Sequence, residues 1–317
     1  MRLWNGLHAP AALVGWLVCA LSVAEAQTSR PAVRYGEPRP VCEIADRRLD
    51  EASGLAASRR NPGYYYTHND SQGRPHVYVI NRHGRICVTI RLDGAENRDW
   101  EDIALAPGQQ PGTFDVCVAD IGDNKAERRE VVFYRFPEPQ FDAVVRARGV
   151  LDIRPQLFRC QYEDAARNAE GFAVDPRTGD GYVFTRRLDG NCHVYRLTAP
   201  WRLTGVTTLK RVGTLRFPEA AALARMVTAA DISPDGTRLV TRSYVGGWEW
   251  RLPEPGDPGG FARIFEQDPT GLELATEPQG EALCFSSDGK SLLTISEKTP
   301  TTLYEVRQAE NGRGAEP

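Results

Sequence analysis

DWEDIALAPGQQPGTFDVCVADIGDN, residues 99–124, runs from an acidic opening through an apolar stretch, a Pro-Gly turn and a second apolar stretch to an acidic close. Gln110-Pro111-Gly112 favours a tight reversal, because Pro fixes φ and Gly permits positive φ, so the stretch predicts a β-hairpin. The turn lies at one end of that hairpin and Asp99, Glu101, Asp102, Asp120, Asp123 and Asn124 at the other.

The opening recurs. Ser53-Gly54-Leu55-Ala56, Glu101-Asp102-Ile103-Ala104, Glu170-Gly171-Phe172-Ala173, Ala230-Asp231-Ile232-Ser233 and Glu281-Ala282-Leu283-Cys284 share one form. With the second residue of each as anchor, the intervals are 48, 69, 60 and 51 residues, a spacing that signals a repeat architecture. Each anchor is followed by a turn motif, a second strand such as Tyr182-Val183-Phe184-Thr185, and a third such as His193-Val194-Tyr195-Arg196. Fourth strands are expected at about Ile86–Leu92, Val150–Ile153, Thr207–Leu215 and Ala262–Phe265. The last unit has none, and Val41-Cys42-Glu43-Ile44, just before the first anchor, is placed to supply it. The pattern predicts an all-β, five-bladed propeller closed by an N-terminal strand, with six blades if one is hidden in the 69-residue interval.

Antiparallel pairing puts the start of each first strand and the end of each second strand on one rim. First-strand starts contribute Glu51, Asp99, Glu101, Asp102, Glu170, Asp231 and Glu281. Second-strand ends contribute His68, Asn69, Asp70, Asp120, Asp123, Asn124, Arg186, Arg187, Arg242, Glu297 and Lys298. So many carboxylates around one axis repel one another and need protons, cationic side chains or a metal. The donors are oxygens, so a hard ion, Ca²⁺, fits better than zinc or copper. The expected ligands are Glu101, Asp102, Asp120, Asp123, Glu170, Asp231 and Glu281, with the Asp120–Asn124 segment the best single candidate. The alternative is that each carboxylate ties down a neighbouring turn. Arg186 and Arg242 are candidates to neutralise an anionic ligand, and His68 to act as general acid or base.

Residues 1–26 read as a secretory signal: Arg2 precedes an apolar run from Ala11 to Val23 that ends in Ala24-Glu25-Ala26. Residues 27–40 form an extended segment, 41–308 the propeller and 309–317 a disordered tail. No run approaches the ~20 apolar residues of a spanning helix, so stable membrane insertion is not expected and the product is secreted or periplasmic. Cys19 leaves with the signal; Cys42, Cys87, Cys117, Cys160, Cys192 and Cys284 remain, an even number in an oxidising compartment, and disulfides are expected, with buried free thiols as the alternative. A net charge of −3 over 317 residues, with no basic run interleaved with aromatics, excludes general nucleic-acid binding. The G-x-S-x-G, H-E-x-x-H, P-loop and G-x-G-x-x-G signatures are all missing, so the classical serine-hydrolase, zinc-protease and nucleotide-binding readings lose support.

Glu51-Ala52-Ser53-Gly54-Leu55-Ala56, Thr67-His68-Asn69-Asp70 and Asp99-Trp100-Glu101-Asp102-Ile103-Ala104 resemble exported bacterial propellers of the SdiA-regulated and phytase-esterase-like group, and Gln279-Gly280-Glu281-Ala282-Leu283 with Ser296-Glu297 is similar to that group's closing repeat. The resemblance implies calcium and, in some members, phosphate-ester hydrolysis. Only Lys125, Lys210, Lys290 and Lys298 are present, so the dense phosphate-binding lysine set of a phytase is not. A metal-dependent hydrolase of a small anionic ester and a non-catalytic binder with a structural metal both remain open. The expected partner is a small anionic ligand or an exported protein, met by a monomer.

Overall fold

Gly63, Gly112, Gly179, Gly236 and Gly289 adopt φ of 84°, 77°, 79°, 68° and 71°. These left-handed residues are the turns of five equivalent hairpins, at the positions the turn motifs predict. The structure is a computed structural model that describes residues 33–309 except 72, 188, 190, 219–220 and 255–259. The signal at 1–26, the start of the extended segment and residues 310–317 of the tail lie outside the described residues.

A strand β1 (Arg39–Ile44) comes first. The first repeat is β2 (Ala52–Ala57), β3 (Tyr64–Asn69), β4 (His76–Asn81) and β5 (Ile86–Leu92). The second is β6 (Trp100–Pro107), β7 (Phe114–Asp120), β8 (Val131–Pro137), helix α1 (Ala143–Arg148), β9 (Val150–Ile153) and β10 (Gln156–Tyr162). The third is β11 (Ala169–Val174), β12 (Gly181–Thr185), β13 (Cys192–Leu197) and β14 (Val206–Leu215). After helix α2 (Ala222–Arg225), the fourth is β15 (Ala229–Ile232), β16 (Arg238–Ser243), β17 (Gly246–Arg251) and β18 (Thr270–Leu272). The fifth is β19 (Gly280–Phe285), β20 (Ser291–Ser296) and β21 (Thr301–Arg307).

The fold is all-β, with sheets ordered β1-β21-β20-β19, β2-β3-β4-β5-β9, β15-β16-β17-β18 and an eight-stranded β11-β12-β13-β14-β10-β8-β7-β6. The eight-stranded sheet arises because β10 and β14, the outer strands of two repeats, pair in parallel through Arg159–Tyr162 and Val206–Leu209. Its end strands β6 and β11 pack against each other, so that sheet nearly closes on itself. β1 pairs antiparallel with β21, and the N-terminal strand thus completes the sheet of the last repeat.

Two expected fourth strands are elsewhere. Val150–Ile153 runs parallel to β5 of the first repeat, and β10 takes the place beside β8. Ala262–Phe265 is part of a 3₁₀ turn, Phe261–Glu266, whose buried Phe261, Ile264 and Phe265 have helical rather than alternating spacing; β18 pairs with β17 instead.

The strands that open the repeats are buried on both faces: β2, β11 and β19 have no exposed residue. β2 packs against β6 and β19, β6 against β11, β11 against β15, and β15 against β19. No backbone ladder joins them, so side chains bridge the gaps. Ser53 Oγ donates to the Glu101 carbonyl (2.7 Å), Thr228 Oγ1 to the Gly280 carbonyl (2.8 Å), and Asp231 Oδ2 accepts from Phe285 N (2.8 Å). Asp102 serves three strands at once: Oδ2 accepts from Phe172 N of β11 (2.8 Å) and Ala230 N of β15 (3.1 Å), while Oδ1 accepts from Ile103 N of its own strand (2.9 Å). Small residues allow this approach; a Cβ on Gly54, at φ 74°, would stand 2.9 Å from Asp102 Cα.

The disulfide expectation is overturned: all six cysteines are free thiols. Cys117 of β7 and Cys160 of β10 share one core cluster, but β8 runs between them, with Cys117 opposite Arg135 and Cys160 opposite Val131. Two strand spacings, roughly 9–10 Å, exceed the ~7 Å Cα separation that a disulfide spans. Cys192 and Cys284 are buried in two other clusters. Burial pushes the Cys117 and Cys160 thiols up to about 12.

Replacing Asp102 by Ala strands three buried N–H groups. The expected loss is about 3–5 kcal/mol of unfolding free energy in urea titration, with Asp102→Asn intermediate because it keeps one acceptor oxygen.

Candidate functional site

The pairing of first and second strands slips by one residue at Glu101, at Glu170 and at Glu281, because Trp100 faces Asp120 while Asp102 faces Ala119, Ala169 faces Thr185 while Gly171 faces Phe184, and Gly280 faces Ser296 while Ala282 faces Ile295. Each glutamate is the extra residue of a β-bulge, a device that re-aims a side chain at a strand end. All three are buried, at 4%, 3% and 6% exposure, and each is within electrostatic reach of the next.

Asp70 and Asp99 join Glu101. One oxygen from each of the three carboxylates lies within 4.8 Å of the other two. The chain path forces this approach: Trp100 N donates to the Asp70 carbonyl (3.1 Å), and Gly122 N to the Asp99 carbonyl (3.1 Å). A Cβ at Gly122 would collide with Glu101 Oε1 and Asp99 Oδ2, so only glycine lets the loop seat itself beside them. Asp70 Oδ1 is shut from solvent with no partner. Among the described residues, none of the three carboxylates accepts a hydrogen bond or forms an ion pair.

The rest of the ring is more nearly satisfied. Arg186 forms an ion pair with Glu170 and donates to Tyr244 Oη (3.1 Å), and Tyr244 in turn donates to Glu281 Oε1 (2.8 Å). Glu297 accepts from Gln279 Nε2 (2.6 Å), and Asn168 Nδ2 reaches Glu170 Oε1 and Asn124 Oδ1, both at 3.3 Å. Burial, and then mutual repulsion, raises Asp70, Asp99, Glu101, Glu170 and Glu297. Asp70 is pushed up to about 8 by burial, then by Asp99, Glu281, Glu170 and Glu51. Glu297 rises to about 9 through burial and its contact with Glu281. Glu170 reaches about 7 through burial, despite Arg186 beside it. Burial and the surrounding carboxylates lift Glu101 far above its ordinary range, and Asp99 rises for the same reasons.

Several expected site residues are placed otherwise. Asp120 and Asp123 are held by Arg128, a buried cation that the motif reading overlooks: its Nη2 pairs with Asp120 Oδ1 (2.7 Å), its Nη1 donates to the Gly122 carbonyl (2.7 Å) and its amide to Asp123 Oδ2 (2.7 Å). The Asp120–Asn124 segment is therefore a loop wrapped on an arginine rather than a calcium loop. Asp102 and Asp231 direct both of their oxygens at backbone N–H groups of their own and neighbouring first strands. Arg242, 1% exposed, pairs with Glu277 (2.9 Å) and donates to the Ala282 carbonyl (3.0 Å), out of reach of any ligand at the mouth. His68 is fully buried, its ring edge-on to Trp100 and its Nδ1 against the Asn69 carbonyl (3.1 Å), and burial lowers its pKa to about 4. It is a neutral packing histidine, not a general acid or base. Asn69 bonds the Arg48 carbonyl and Asp50, Arg187 pairs at the surface with Asp189, and Lys298 is exposed with its amide on the Asp50 carbonyl. Glu51 stands exposed at the edge of the acidic group, its carbonyl accepting from Asp70 N (2.9 Å).

The chain matches no protein-family model and no curated protein sequence. No helix among the described residues is long and apolar enough to cross a membrane.

The raised carboxyl values have a definite sign. A folded state that holds protons more tightly than the unfolded chain gains stability that is fully present below about pH 4 and is lost as pH rises through about 7, 8 and 9, the values for Glu170, Asp70 and Glu297. In chelator the thermal midpoint is expected to fall between pH 5.5 and 9, and the double variant Asp70→Asn, Glu297→Gln, neutral throughout, to flatten that fall. A wild-type midpoint that is level or rises over this range would contradict the crowding described.

Proposed function

We propose that this protein is an exported five-bladed β-propeller that binds Ca²⁺ at the mouth of its central channel and uses the ion to hold an oxygen-bearing ligand. The cyclic packing of β2, β6, β11, β15 and β19 and the completion of the last sheet by β1 support the five-bladed reading. The signal-like N-terminus supports export, and the resemblance of the Asp99–Ala104 and Gln279–Leu283 motifs to calcium-bearing exported propellers points the same way.

One observation carries the metal reading. Asp70, Asp99 and Glu101 converge with their oxygens within 4.8 Å, and no described residue donates a hydrogen bond to any of the three, the nearby Arg128 guanidinium being held by Asp120 and the Gly122 carbonyl. A hard divalent cation satisfies all three at once, with Asp70 and Glu101 as fixed ligands and Asp99 completing the face. Calcium takes six to eight oxygens, so water and a ligand would fill the remaining positions. The donor set is all oxygen, which disfavours softer ions.

Binding is better supported than ester hydrolysis. The two cationic or acid–base residues that hydrolysis would call on, Arg242 and His68, are sealed in the interior, and Arg186 is committed to Glu170 and Tyr244. The mouth is therefore an acidic surround suited to holding a cation, and the groups there that titrate near neutral pH are carboxyls, Glu170 and Asp70.

Titration calorimetry of the mature protein with CaCl₂ is expected to give saturable binding and a rise in thermal midpoint that chelator reverses. Glu101→Gln and Asp70→Asn are each expected to weaken binding by about tenfold or more, since each removes a charged ligand. Absence of calcium binding, or an affinity indifferent to both substitutions, would refute the site. Calcium-dependent turnover of phosphomonoesters, phosphodiesters or lactones would reassign it as a hydrolase.

A further inference from the structure

A second candidate site lies away from the acidic mouth, on the outer strand β14. A cleft of about 1100 Å³ opens between β14 and the Phe261–Glu266 turn, and Arg211, Val212, Arg216, Phe217, Arg225 and Phe265 contribute to its lining. The size suits a small organic ligand.

Its charge is unbalanced. The two acidic lining residues are already engaged: Glu163 accepts from Arg211 N (2.7 Å) and pairs with Lys210 (3.1 Å), while Glu266 pairs with Arg263 (3.3 Å). The guanidinium groups of Arg211, Arg216 and Arg225 have no carboxylate partner among the described residues; Arg211 Nη2 reaches only Thr214 Oγ1 (2.9 Å). Arg225 Nε is shut from solvent and has no acceptor among the described residues. A buried N–H without an acceptor is unfavourable, and a planar guanidinium fork matches a carboxylate or phosphate oxygen pair.

The lining also has an apolar part, Val212, Phe217 and Phe265. Phe217 packs against Trp248 and Trp250, with ring centroids 5.9 and 5.6 Å apart. Trp248 Nε1 donates to the Ala224 carbonyl (2.7 Å) and so anchors α2, which carries Arg225. Trp248 thus contacts both Phe217 and the helix that carries Arg225.

We infer that this cleft binds an organic oxyanion, a phosphate or carboxylate attached to an apolar group, with Arg216 and Arg225 on the oxyanion and Phe217 and Val212 along the apolar part. Nothing in this inference depends on the calcium site, and the test removes that site from play. With chelator present, phenyl phosphate, benzoate and inorganic phosphate are titrated into the mature protein and followed by calorimetry and by protein-observed NMR.

Saturable binding of phenyl phosphate or benzoate is expected, tighter than inorganic phosphate, and weakened at least about tenfold by Arg225→Gln and by Arg216→Gln. Whichever aryl probe binds more tightly identifies the oxyanion as phosphate or carboxylate. Arg225→Lys, which keeps charge but loses the fork, is expected to recover only part of the affinity. Arg216 is exposed, so its variant folds whether or not the cleft binds anything. Failure of both aryl probes to saturate, or affinities unchanged in Arg216→Gln and Arg225→Gln, would overturn the inference.

Discussion

Five strands lie side by side at the centre of this protein with no backbone ladder between them, and their polar groups must be satisfied by side chains. Asp102 meets the largest single share of that demand, because one carboxylate accepts N–H groups from β6, β11 and β15 together. Ser53, Thr228 and Asp231 supply the other crossings. An unpaired backbone group in such a place costs as much as a lost hydrogen bond, so these residues are as structural as any leucine in the core. They also explain the composition of the first strands, where Gly and Ala keep the backbones close enough for short side chains to bridge.

The same packing creates the acidic mouth. Once the first strands converge, whatever stands at their beginnings is crowded, and in repeats two, three and five a bulge turns a buried glutamate into that space. On the Arg186 side the crowding is relieved by an ion pair and a tyrosine relay to Glu281. Beside Gly122, Asp70, Asp99 and Glu101 face one another with no hydrogen-bond donor to them among the described residues. The contrast between the two groups of carboxylates is what supports proposing the second as a cation site. Arg128 sharpens it, because this cation lies close by yet is spent on Asp120, Asp123 and the Gly122 carbonyl.

Much of the fold was legible. Turn glycines recur at equivalent places, and each one does adopt a left-handed φ. That an N-terminal strand would complete the sheet of the last repeat followed from counting strands there, and β1 pairs with β21. The misplaced fourth strands mark where local pattern is weakest: outer strands are short and half exposed, so Val150–Ile153 and Ala262–Phe265 carried too little periodicity to distinguish a strand of the same repeat from one of a neighbour or from a 3₁₀ turn. The cysteines misled for another reason, since an even count is arithmetic, whereas pairing needs distances.

For the site, the amino-acid order by itself determined that acids and amides would cluster at the turn-free ends of the hairpins, because strand alternation and antiparallel pairing leave no other place for them. It did not distinguish a carboxylate aimed at a neighbouring amide from one aimed at open space. Asp102 and Glu101 are adjacent, yet one is a backbone tie and the other a candidate ligand, a division set by a single-residue bulge in the pairing of β6 with β7. Arg128, Tyr244 and the deep burial of Arg242 and His68 were likewise decided only in three dimensions. Burial and partnership depend on which repeat packs against which, and no spacing within one repeat records that.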